Sequence, residues 1–134
     1  MNLSRKSEAF TLIEIVIALS LAVALMATVF TIVKKFKKQA SVKETIQIMG
    51  VIKNALLLYS SDTNKYPTTR EGLAILLVPR QGTTYLDSEK FINDAWGNPI
   101  EYHAGQEIQH KEFKIYELIS QGDPQGGGEI VLGD

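Results

Sequence analysis

Apolar residues dominate the stretch from Phe10 to Val33, 24 residues in which Glu14 is the single charge and no glycine or proline intervenes. As an α-helix that run is about 36 Å long, enough to cross a bilayer core of about 30 Å. The pattern then becomes one-sided. Val42, Ile46, Met49, Ile52, Leu56 and Tyr59 recur every three or four residues, the period of a helix with one apolar face. Ile48, Val51, Ala55 and Leu58 widen that face, while Lys43, Glu44, Gln47 and Lys53 lie largely outside it. One helix of about 50 residues is therefore expected, apolar all round at first and amphipathic afterwards. Gly50 marks a candidate bend, because glycine costs about 1 kcal/mol against alanine inside a helix.

Past the helix the pattern shortens. Ser60-Ser61-Asp62-Thr63-Asn64 is a cluster of turn formers ahead of Tyr66-Pro67, so the helix should stop there. Thr68-Thr69-Arg70-Glu71 has capping-box spacing and predicts a short helix through Leu76 or Leu77. Pro79 and Gly82 then predict a loop, and Asp94-Ala95-Trp96-Gly97-Asn98-Pro99 a turn. Ile100 to His103 and Phe113 to Leu118 alternate as strands, joined by a hairpin loop from Ala104 to Glu112. Gly122 to Gly128 predicts irregular chain, and Ile130 to Leu132 a last short strand. The expected fold class is α+β, a long helix packed on a small antiparallel sheet with a C-terminal loop.

Composition narrows the function. A net charge of −1 leaves no surface for a polyanion, which argues against nucleic acid. The absence of cysteine removes disulfides, thiolate zinc sites and a cysteine nucleophile. His103 and His110 are the only histidines, and no serine or carboxylate pair has a catalytic setting, so no enzyme is expected. Gly126-Gly127-Gly128 lacks the lysine and hydroxyl of a phosphate loop. Asp123, Glu129 and Asp134 flank that segment. They read either as a solvated acidic loop or, with backbone carbonyls nearby, as oxygen donors for calcium.

Arg5 and Lys6 precede the apolar run, which admits a secretory signal peptide cut after Ala22-Val23-Ala24. Against that, the run continues through Leu25 to Val33, and Glu14 would sit inside its apolar centre. Lys34, Lys35, Lys37 and Lys38 follow it, and their count alone would put the C-terminal part in the cytoplasm. A carboxylate inside a membrane helix costs about 2.5–3.5 kcal/mol, so Glu14 is a functional candidate. Cutting the chain between Ala9 and Phe10 would create an α-ammonium one helical turn from it. That amine, or the amine of a second copy, could neutralise Glu14 and set the register between apolar helices.

Phe10-Thr11-Leu12-Ile13-Glu14 behind a short basic leader resembles the processing motif of type IV pilins and type II secretion pseudopilins. Ala9 stands where that family has glycine. Tyr66-Pro67-Thr68-Thr69-Arg70-Glu71-Gly72-Leu73, Asp94 to Pro99 and Tyr116-Glu117-Leu118-Ile119-Ser120 resemble the major-pseudopilin family over nearly the whole chain. The resemblance implies a leader at 1–9, a membrane and filament-core helix at 10–33 and a periplasmic domain at 34–134. It implies a prepilin peptidase that cuts before Phe10 and methylates it, with Glu14 in subunit docking. It further implies a homopolymeric pseudopilus built with minor pseudopilins, an inner-membrane assembly platform and its ATPase, driving protein export across the outer membrane. Calcium is implied at Asp123 and Asp134, helped by carbonyls of Ser120 and Gln121, although Pro124 replaces a glycine and the loop is one residue short. Rival readings are another pilin-like subunit, of a surface pilus or a DNA-uptake filament, and a membrane-anchored binding protein that never polymerises. The missing cysteines and the missing basic patch weigh against the pilin-like rivals.

Overall fold

The computed structural model describes residues 9–105 and 114–133 of the chain. Helix α1 runs over Leu12–Thr63, 52 residues, and passes through Gly50 without a break. By contacts the chain forms two units, Met1–Lys37 and Lys38–Asp134. In the first, the apolar side chains stand in the open, Leu25 at 68 % and Phe30 at 63 % exposure.

Within the second unit, α1 buries Thr45, Ile48, Met49, Ile52, Ala55, Leu56 and Tyr59. That corrects the expected face. Ile46, Val51 and Leu58 are exposed at 47 %, 39 % and 59 %, and Thr45 is buried where Ile46 was expected. Thr45 is tolerated inside because its Oγ1 accepts the Ala95 backbone N–H at 3.1 Å, so no polar atom is orphaned. The helix ends as the turn formers require. Asn64 is left-handed at φ 56°, and Thr63 Oγ1 lies 2.8 Å from the carbonyls of Tyr59 and Lys65.

The Thr68–Glu71 box forms, but without the α-helix it was expected to open. Glu71 Oε2 accepts the Thr68 N–H and hydroxyl at 2.8 and 2.9 Å, and the Glu71 N–H donates to Thr68 Oγ1. These bonds hold the Glu71 carboxyl below the usual range, the Thr68 backbone N–H contributing most. Gly72 at φ 60° then breaks helical geometry, and the chain continues as a 3₁₀ turn over Leu73–Leu77. Arg80 and Thr83 exchange N–H···O bonds of 2.9 Å across a tight two-residue turn. A second 3₁₀ turn, Glu89–Ile92, had no sequence expectation.

The sheet has three antiparallel strands in the order β1-β2-β3, comprising Glu101–Ala104, Tyr116–Ser120 and Ile130–Gly133. Glu101 pairs with Ile119, and Ile119 with Val131. The second strand begins and ends later than Phe113–Leu118; Phe113 and the rest of 106–113 lie outside the described residues. Tyr116, Leu118 and Ser120 alternate inward, as a half-buried strand must. Tyr102 stacks on Tyr116 with ring centroids 6.2 Å apart, and Tyr66 meets the same ring at 5.5 Å. The Tyr102 hydroxyl donates to the Pro67 carbonyl at 2.7 Å, fastening the capping-box turn to the sheet.

Candidate functional site

At the N-terminal end of α1, Phe10, Leu12 and Ile13 are exposed at 75 %, 80 % and 64 %. Thr11 caps the helix: its Oγ1 accepts the Glu14 N–H at 3.3 Å, and its carbonyl accepts the Ile15 N–H at 3.2 Å. Thr11 was missed in the sequence, although Thr-x-x-Glu is itself capping-box spacing. A carboxylate in the first turn also suits the positive end of the helix dipole. That local role accounts for an acid near position 14 only in part, because the Glu14 carboxylate makes no hydrogen bond or ion pair among the described residues.

The other polar side chains of the apolar run are treated differently. Ser20, Thr28 and Thr31 donate to the carbonyls of Val16, Ala24 and Ala27 at 2.7, 3.1 and 3.0 Å. Each hydroxyl is thereby satisfied within its own helix, as a segment without water demands. The helix is long and apolar enough to cross a membrane, with a mean hydropathy of 2.6 over its best window. Just past the apolar run the Lys34 ammonium lies 4.8 Å from the Phe30 ring centroid, a cation–π contact. Among the described residues the Glu14 carboxylate has no such partner.

The residues expected around a C-terminal cation are only partly brought together. Asp123 sits in the loop after β2, where its Oδ1 accepts the Gln125 N–H at 2.9 Å and its carbonyl accepts the N–H groups of Gly126 and Gly127 at 3.0 and 2.8 Å. Ser120 was expected there through its backbone carbonyl; its side chain belongs to a separate centre. Its hydroxyl donates to Asp94 Oδ2 at 2.7 Å and accepts the Gly122 N–H at 3.1 Å. Gln121 Nε2 reaches Glu101 Oε1 at 3.0 Å. Asp134 lies outside the described residues, as does the leader segment 1–8. Calcium takes six to eight oxygens at about 2.3–2.6 Å. Among the described residues no three His, Cys, Asp or Glu side chains converge, and of the two carboxylates expected at calcium only Asp123 is described.

The buried carboxylate that does organise this end of the molecule is Asp94, 5 % exposed. Its Oδ1 accepts the N–H groups of Trp96 and Asn98 at 3.0 and 2.9 Å, beside the Ser120 bond to Oδ2. With Thr45 holding Ala95, it ties α1, the Asp94–Pro99 turn and β2 together.

A family described as type II secretion system (T2SS), protein G, matches residues 32–132. The chain belongs to that family. Among its relatives, the type II secretion system core protein G of Pseudomonas aeruginosa is 31 % identical over 134 aligned residues, covering 93 % of this chain and 91 % of its own. The Aeromonas hydrophila protein of the same name is 26 % identical over 97 % of this chain and 93 % of its own. The crystal structure of the major pseudopilin of enterohaemorrhagic Escherichia coli is similar with a TM-score of 0.57 at 21 % identity, over 73 % of this chain and 90 % of that one. The expected α+β pilin-like fold is borne out, and with it a structural major pseudopilin of type II secretion.

Sequence reasoning about this pseudopilin found Glu14 and the apolar helix. It missed Asp94 as a hub, although an Asp heading a turn with Gly three residues later was a usable sign of its local bonds. The bond from Ser120 had no local sign.

Proposed function

We propose that this major pseudopilin matures by hydrolysis of the Ala9–Phe10 peptide bond and methylation of the new Phe10 amine by a prepilin peptidase. The mature subunit is held in the inner membrane by the helix from Phe10, with the unit from Lys38 onward on the periplasmic side. It then polymerises into a periplasmic pseudopilus that drives protein export, with minor pseudopilins, a membrane assembly platform and its ATPase as partners. A methylated amine is still protonated, so Phe10 of an arriving copy brings a positive charge to the Glu14 carboxylate of its neighbour.

One observation carries the reading: in an apolar run where Ser20, Thr28 and Thr31 each bond a carbonyl of their own helix, the Glu14 carboxylate has no partner among the described residues. Misaligned copies would desolvate two charges without pairing them, a cost of several kcal/mol per ion. Aligned copies pair them. Two measurements test this. The mass of the chain isolated from membranes should correspond to a start at N-methyl-Phe10, and a retained leader in an export-competent cell would defeat the scheme. Replacing Glu14→Ala should leave a folded, membrane-inserted subunit while cross-linked filament falls roughly a hundredfold, the equivalent of about 3 kcal/mol. Normal filament yield would remove Glu14 from docking.

A further inference from the structure

The loop after β2 closes around one aspartate. The Asp123 carbonyl draws in the N–H groups of Gly126 and Gly127, and its carboxylate draws in that of Gln125. Gly122 is left-handed at φ 73°, and a Cβ there would overlap the Gly128 carbonyl oxygen. The turn is thus tightly closed around Asp123, whose carbonyl and Oδ1 already accept N–H groups of the loop. Its Oδ2 is the carboxylate oxygen that faces a positive charge.

That charge comes from α1. Lys38 Nζ lies 3.3 Å from the Gly126 carbonyl oxygen and 4.0 Å from Asp123 Oδ2. The Asp123 side chain is 20 % exposed and that of Lys38 48 %, so the pair lies at the edge of the loop. We propose that Lys38 is the built-in cation of the C-terminal loop, so that this pseudopilin closes the loop without a divalent ion. The described donors agree with this. Among the described residues Asp123 offers its Oδ2 and Gly126 its carbonyl to Lys38 Nζ, which suits an ammonium with three donors, and no second carboxylate converges there for a calcium shell. A tethered ammonium also repels an arriving divalent ion, and its local concentration is fixed by the helix that carries it.

The lysine run after the apolar segment thereby divides its work. Lys34 covers Phe30, whereas Lys38 crosses to a loop 88 residues away in sequence. Lys38 is a positioning residue, and its effect is read in the loop.

The test uses the full-length chain in detergent micelles. The melting temperature in excess calcium and in excess EDTA should agree to within about 1 °C, and Lys38→Met should raise amide exchange of Gly126 and Gly127 about three- to tenfold. Lys38→Arg should keep the protection. Lys38→Met should add less in an Asp123→Asn background than it costs alone, since the ion pair is then already lost and only the Gly126 contact remains; Asn at 123 can still accept the Gln125 N–H and keep the turn. Calcium-dependent melting of the wild-type chain would overturn the proposal. So would strictly additive effects of the two substitutions.

Discussion

The two halves of α1 share a backbone and differ in everything else. Leu25, in the first, is 68 % exposed, and Leu56, in the second, is 0 % exposed. The second half has a sheet and two 3₁₀ turns from its own chain to cover one face. The first half has nothing of its own, so its cover must come from lipid or from further copies. In lipid, apolar helices have no hydrophobic drive to associate. On the function proposed above, drawing them out into a filament is uphill until the filament core covers them. The comparison teaches that one half of the helix is a folding element and the other an assembly element, and that hydrophobicity alone does not tell them apart.

Substitutions can break or sharpen that contrast. The largest effect is expected from Leu56→Ala, which opens a cavity in the core and should cost about 3 kcal/mol of unfolding free energy, measured by urea titration in micelles. Leu25→Ala should leave the same transition unchanged; a comparable loss would mean that the first half does take part in folding this unit. Asp94→Ala comes next, at about 2–3 kcal/mol, because the Ser120 hydroxyl and two backbone N–H groups lose their acceptor. An unaltered midpoint would deny Asp94 its role as a hub.

The smallest effect should appear at alkaline pH. Burial first, then the neighbouring Tyr116 and Tyr66, push the Tyr102 hydroxyl well above the ordinary tyrosine range. A folded value raised above the unfolded one means that this stability is complete below the unfolded pKa of about 10 and is lost as pH rises beyond it. The melting temperature should therefore fall more steeply above about pH 10 in the wild type than in Tyr102→Phe. Identical slopes would show that Tyr102 does not report on the core.

Much of the fold was legible because its signals are local. A run of apolar residues, a three-and-four spacing and clusters of turn formers each act within a few positions of chain. Errors arose where a neighbour distant in sequence decided the outcome. Thr45 rather than Ile46 faces inward because Ala95 supplies a donor there. The Thr68–Glu71 box leads into a 3₁₀ turn because Gly72 turns left-handed, while Tyr102 and Ala104 bind the Pro67 carbonyl and Thr69 hydroxyl from the sheet. The candidate site divides the same way. Glu14 stood out as a lone charge in an apolar run, but Thr11 as its cap drew no notice. Ser120 drew notice for its backbone carbonyl, whereas the bond of its hydroxyl to Asp94 had no sign in the sequence.

By itself, the order of residues determined where the helix runs, that its first half is apolar on every side, and that a single carboxylate interrupts it. Those properties follow from covalent neighbours and helical period, which need no partner to be defined. Tertiary structure alone decided that Lys38 meets Asp123 and Gly126, that Asp94 gathers Ser120 from 26 positions away, and which side of α1 is covered. Such pairings exist only once the chain has closed its long loops, because their partners are brought together by packing and by nothing written between them.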